Sequence, residues 1–288
     1  MKFSIAIRLA AFASGFTLLA SGCATTPYHR LPDEKLERIP ALPVDEPQVE
    51  RGRPNVVIDT VGDAFGIFGR ILLANRKVDN HDVSAYTEQA LLDYLAFNGL
   101  TNVKVRINQY APRREFARLR QNKRVGAGWR YTVGVLSWAW YTVVPQRIFG
   151  GDNYNPWSDT INLYSDLKVI ALHEGGHAKD FASRRYPGTY GFLYAIPFVS
   201  LYHEAMATND ALSYMREECM LNEWDRGYKT LYPAYGTYVG GNFAQYLIPY
   251  TWVYWAGVVP GHAIGRIRAA GDFPCPEETA MLSLQAKP

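Results

Sequence analysis

The chain has 288 residues, 48% of them hydrophobic and 20% charged, a composition that can bury one sizeable core and leaves little room for two full domains. Thirty basic side chains against 27 acidic ones give a net charge of +3, too small to argue for nucleic acid as a partner. Two of those basic residues, Lys2 and Arg8, sit at the head of an apolar leader, so the remainder is closer still to neutrality.

The leader has the layout of an export signal: Lys2 and Arg8 flank its start, an apolar stretch runs through Leu19, and small residues precede a cysteine. Ala20-Ser21-Gly22-Cys23 resembles the bacterial lipoprotein signal, although Ala20 stands where that signal prefers leucine. The resemblance implies removal of residues 1–22, lipidation of Cys23 and attachment to a membrane through that lipid. Ala24 follows the cysteine in place of aspartate, which by the same resemblance implies an outer-membrane lipoprotein facing the periplasm. Residues 23–54, rich in proline and charge and without apolar periodicity, read as a tether to one domain spanning 55–288.

Residues 56–75 carry apolar side chains at near-helical spacing, and 84–97 predict a clearer amphipathic helix with Leu91, Leu92, Leu95 and Phe97, stopped by Asn98-Gly99. Residues 102–110 alternate Val103, Val105 and Ile107 with polar neighbours, the pattern of a half-buried strand. A helix follows from Pro112, and its cluster of Arg113, Arg114, Arg118, Arg120, Lys123 and Arg124 reads as a solvated face. Residues 131–144, β-branched and aromatic, predict a buried strand or strand pair, and 160–164 an edge strand. The next helix is expected from Ser165 as N-cap to Arg185, ended by Pro187-Gly188. The order implies an α+β part at 55–158 with a small, mostly antiparallel sheet, a site region at 159–215, and an apolar helical part at 216–288. The apolar stretches 191–202, 231–248 and 250–264 are broken by proline, glycine and polar residues and read as core, not as membrane spans. Gly236, Gly240, Gly257, Gly261 and Gly265 suggest close helix packing there, and Cys219 and Cys275 are an even pair available for a disulfide.

The chemistry concentrates at His173-Glu174-Gly175-Gly176-His177, an H-E-x-x-H sequence on the helix expected after the edge strand. On a helix, residues four apart lie one turn above each other, so both imidazoles can face one tetrahedral zinc ion, while Glu174 stands beside it as a general base toward the bound water. Two glycines inside a helix cost about 1 kcal/mol each against alanine, which implies that a neighbouring strand or a substrate backbone comes close. Asp180, one turn beyond His177, is placed to orient an imidazole.

A catalytic zinc wants three protein ligands and an open position. Asp180, His203, Glu204 and Asp210 are the candidates after His177. Asp180 and Ser183 occupy the places where a metzincin carries glycine and its third histidine, so that class is excluded. The segment Tyr202-His203-Glu204-Ala205-Met206-Ala207 resembles the second signature of the gluzincins, the zincin-like class that includes thermolysin. Across residues 159–215 the resemblance implies His173, His177 and Glu204 as ligands of one zinc ion, with Glu174 as the base. Ala207 and Ala211 share a face with Glu204 and let its helix approach. Thermolysin-like enzymes place an aspartate four after the glutamate; here that position is Thr208, which leaves Asp180 or Asp210 to support the ligands. The expectation is a zinc metallopeptidase of the cell envelope, acting on protein or peptide substrates added along the strand at 161–164. The alternative is a non-catalytic, chaperone-like binding lipoprotein on the same scaffold. An oxyanion donor is not singled out among twenty tyrosines, with His262 a further candidate.

Overall fold

Alternation at Lys104–Ile107 and Thr160–Leu163 builds the two central strands, β2 and β4, of a four-stranded sheet whose outer members are Val49–Arg51, β1, and Asn153–Asn155, β3. This is a computed structural model, and it describes residues 28–43, 46–196, 198–246, 252–271 and 275; Cys23 and the leader lie outside them. The fold is α+β and divides into a sheet unit, His29–Ile196, and a helical unit, Pro197–Pro288 together with Met1–Tyr28.

The sheet runs β1-β2-β4-β3, with β1 and β4 both parallel to β2 and only β3 antiparallel to its neighbour. It is therefore mixed and mostly parallel where a mostly antiparallel sheet was expected. Thr160–Leu163 is also an interior strand and not an edge, because β3 covers its far side. Nor is β2 half-buried: all four of its residues are inside. Its polar face is closed by charge, with Lys104 Nζ 2.9 Å from Glu50 and 3.1 Å from Glu46, and Arg106 paired with Glu115. Glu46 and Glu50 belong to the stretch read as a tether, so that stretch is part of the fold and supplies β1.

Around the sheet lie α1 (Asp33–Leu36), α2 (Val56–Leu73) and α3 (Ala85–Phe97), the last capped by the Ser84 side chain. Pro112 opens α4 (Pro112–Gln121), and α5 (Ala127–Tyr131), α6 (Val133–Val143) and α7 (Gln146–Phe149) follow. The predicted strand at 131–144 is thus helical. Its two buried residues, Gly134 and Tyr141, lie seven apart, two helical turns, and Gly134 meets Leu119 of α4 so closely that a Cβ would sit 2.7 Å from it. Beyond β4 come α8 (Lys168–Ser183), α9 (Pro187–Phe192) and a 3-10 turn at Leu193–Ala195.

The helical unit contains α10 (Val199–Glu217), α11 (Leu221–Tyr246) and α12 (Trp252–Ala269). As the glycines suggest, α11 and α12 meet backbone to backbone: a Cβ on Gly236 would strike the Gly257 carbonyl, and one on Gly261 would lie 2.6 Å from Tyr232 O. Leu201, Tyr235, Val239 and Phe243 form a buried cluster. Cys219 and Cys275 are joined by a disulfide, with their Cα atoms 5.2 Å apart. Among the described residues no helix is long and apolar enough to cross a membrane.

The Arg106–Glu115 pair is 0% and 1% exposed at its side chains. Glu115 also accepts hydrogen bonds from Asn155 and Ser158. Glu115→Ala leaves the buried guanidinium only the more distant Glu50, 3.5 Å from Arg106 Nε, and is expected to cost about 3–5 kcal/mol in urea unfolding, while Glu115→Leu combined with Arg106→Met recovers most of that loss.

Candidate metal centre

The start of α8 is fixed by side chains from other elements. Asp152 accepts hydrogen bonds from Tyr164 N at 2.7 Å, Ser165 N at 3.0 Å and the Ser165 hydroxyl, which itself accepts from Asp79 N at 2.8 Å. Asp166 turns the other way, accepting from Ser84 N at 3.0 Å, the Ser84 hydroxyl at 2.6 Å and the Thr87 hydroxyl at 2.7 Å, with Lys77 Nζ 2.5 Å away. Ser165 is consequently not the N-cap. The helix begins at Lys168 after Leu167, with no side-chain cap, because the serine hydroxyl is already committed to Asp152.

At the other end, Arg124 Nη2 donates to the carbonyls of Phe181 at 3.1 Å and Ala182 at 3.2 Å, satisfying acceptors that a helix terminus leaves open. Arg118 likewise donates to Ser158 O, Asn102 O and Asp159 O. These two arginines hold the fold together, while Arg113, Arg114, Arg120 and Lys123 are exposed, as a solvated face requires. The helix stops at Ser183, and Pro187 opens α9 instead of ending α8.

Between those ends the helix is enclosed, with every residue from Ala171 to Ala182 buried. Gly175 faces α3, where a Cβ would lie 2.7 Å from the Tyr94 ring and 3.2 Å from Leu91. The close approach inferred from the glycine pair is met at Gly175 by an aromatic side chain of α3, not by a strand or a substrate backbone.

His173 and His177 are 9% and 6% exposed, and their Nε2 atoms stand 3.1 Å apart on nearly perpendicular rings. Two nitrogens on one tetrahedral zinc at about 2.0–2.1 Å are about 3.3 Å apart, so the pair has the spacing such an ion requires. The Tyr194 hydroxyl lies 3.4 Å from His177 Nδ1. With Nδ1–H donating to that oxygen, the Nε2 lone pair is left for a metal. Sequence reasoning did not find Tyr194: it is one of twenty tyrosines, seventeen residues away in a 3-10 turn. Glu174 is buried beside the two histidines on the same helix.

Asp180 is elsewhere engaged. Its carboxylate accepts from Arg184 Nε at 3.1 Å, from Arg184 Nη2 and from the Tyr190 hydroxyl, so it braces the turn after α8 and does not orient an imidazole. On α10, His203, Glu204, Ala207, Thr208 and Ala211 are buried and Asp210 is half-buried; His262 lies on α12. Among the described residues, His173, His177 and Glu204 are a buried group able to offer one ligand atom each to a metal ion. Comparison with protein-family models, curated proteins and solved structures returned no match for this chain.

Burial and the neighbouring Asp152 carboxylate push the Asp79 carboxyl up to about 7, against the pull of Arg70. Between about pH 4 and pH 7 the folded state therefore holds a proton that the unfolded state has released, and this contribution to stability is lost as the pH rises. Asp79→Asn removes it. The variant is expected to match the native chain near pH 4 and to exceed it above pH 7 by on the order of 2 kcal/mol, read from denaturation midpoints across that range.

Proposed function

We propose that the chain is a zinc-dependent metallopeptidase of the bacterial cell envelope, of gluzincin type on a zincin-like scaffold and held at the membrane through Cys23. The observation that carries this reading is the 3.1 Å separation of His173 and His177 Nε2 on a buried helix, with Glu174 next to them. Glu204 supplies the third ligand, a reading supported by its grouping with the two histidines and by the small residues Ala207 and Ala211 on its face. Two histidines and a carboxylate form a donor set suited to one zinc ion.

When bound, the ion lowers the pKa of a coordinated water toward neutrality and polarises the substrate carbonyl. The chain's own residues do the rest. Glu174 takes the proton from the attacking water as its oxygen bonds to the carbonyl carbon, then delivers that proton to the amine nitrogen as the C–N bond breaks. Tyr194 holds the His177 ring in the orientation that directs Nε2 inward. Since β4 is covered, an extended substrate would pair along β3, the outer strand on that side of the sheet.

Purified protein is expected to carry one zinc per chain by elemental analysis, lost in His173→Ala and weakened in Glu204→Ala. Glu174→Gln should keep the metal while cleavage of an unfolded protein such as reduced casein falls by on the order of 10²–10⁴-fold. Metal retention with no Glu174-dependent cleavage would leave the binding-lipoprotein alternative standing instead.

A further inference from the structure

Helix α2 is turned inside out. Its charged residues Asp59, Asp63 and Arg70 share one side with the buried Gly62 and Gly66. That side is tied down: Arg147 Nε donates to Asp59 at 2.8 Å, and Arg70 donates to the carbonyls of Val78 at 2.9 Å and Asp79 at 2.8 Å. The opposite side is apolar, and outside the buried Leu72 of its last turn it is exposed, with Val57 73%, Phe65 56% and Ile71 61% exposed. A helix on a water-facing surface shows the reverse pattern. Phe149 of α7 extends the face, since its ring centroid lies 4.8 Å from that of Phe65 and it too is exposed.

We infer that this face of α2, with Phe149, is a lipid-contacting surface that lies in the plane of a bilayer. Three observations select lipid over a protein partner. The face carries no charged side chain and only Thr60 as a polar one, whereas transient protein interfaces are about as polar as the rest of a surface. Exposed cations flank it at both ends, Arg53 before the helix and Arg76 after it, placed to reach anionic headgroups while the apolar side sinks below them. Finally, the chain allows little distance from the bilayer: the inference rests on the Cys23 anchor proposed above, and Cys23 is six residues before His29, where the sheet unit begins. At about 3.5 Å per residue the reach is about 21 Å, less than the length of α2, whose 18 residues span about 27 Å. An anchor that short holds the sheet unit against the membrane surface, and an interfacial helix with its apolar side buried is the contact this geometry provides.

The test places a probe on the face. The full chain with Phe65→Cys is labelled with an environment-sensitive nitrobenzoxadiazole group and bound to mixed phosphatidylethanolamine and phosphatidylglycerol vesicles; Asp93→Cys on α3 serves as reference. The Phe65 label is expected to shift to the blue, brighten several-fold and be quenched by spin-labelled acyl chains, while the Asp93 label stays open to aqueous iodide. Equal iodide access at both positions on vesicle-bound protein overturns the inference. So does protection of the Phe65 label without vesicles, whether it depends on protein concentration, as for a second copy, or not, as for a cover from the chain's own leader. The parent chain labelled in parallel, with its intact mass, reports whether Cys23 is acylated, so failure of the anchor reading is seen separately from failure of the lipid-contacting face.

Discussion

A helix enclosed on every side must find a partner for each polar group it carries, and α8 carries five ionisable side chains through the interior of the sheet unit. Much of the sheet unit can be read as the answer to that requirement. Arg124 reaches across to the last carbonyls, Arg184 and Tyr190 take up Asp180, and the side chains of Asp152 and Asp166 fix the turn that leads in from β4. The two imidazoles bring their Nε2 atoms to 3.1 Å, a separation that one shared cation could bridge. Because the histidines ride on a packed helix and not on a loop, their spacing is set by the backbone and by Tyr94 against Gly175.

Much of the secondary structure was legible because it is local. The periodicity of α3, Pro112 at the head of α4 and the alternation of β2 and β4 each depend on neighbours within a few residues. The sheet's sense was not, and the reason is one misread segment. Residues 131–144 have the β-branched and aromatic content of a strand, which suggested hairpins; as α6 they belong to a helical crossover between β2 and β4, and a crossover makes that pair parallel. β1 escaped notice for a different reason. Val49–Arg51 is three residues with no pattern of their own, and it becomes a strand because β2 offers it an edge and buried Lys104 and Arg106 need the charge of Glu50.

The site divides in the same way. His173, Glu174 and His177 could be named from spacing alone because four residues on a helix fix a direction. Tyr194 and the true partners of Asp180 could not, since both depend on how the chain folds back after α8. Helix α2 shows a subtler limit: its apolar stripe was plain in the sequence, but periodicity finds two faces without saying which one turns inward. Here the paired charges and glycines took the interior.

The bridge between Cys219 and Cys275 closes a loop of more than 50 residues that contains both α11 and α12. Closing a loop of that size removes about 4 kcal/mol of freedom from the unfolded helical unit, while the sheet unit has no cysteine and gains nothing from oxidation. The two units are therefore coupled to their surroundings differently. A chain folded in a reducing compartment keeps its histidine pair intact while the part that bears Glu204 is weakened, so the oxidation state of one bond records where the molecule completed its folding.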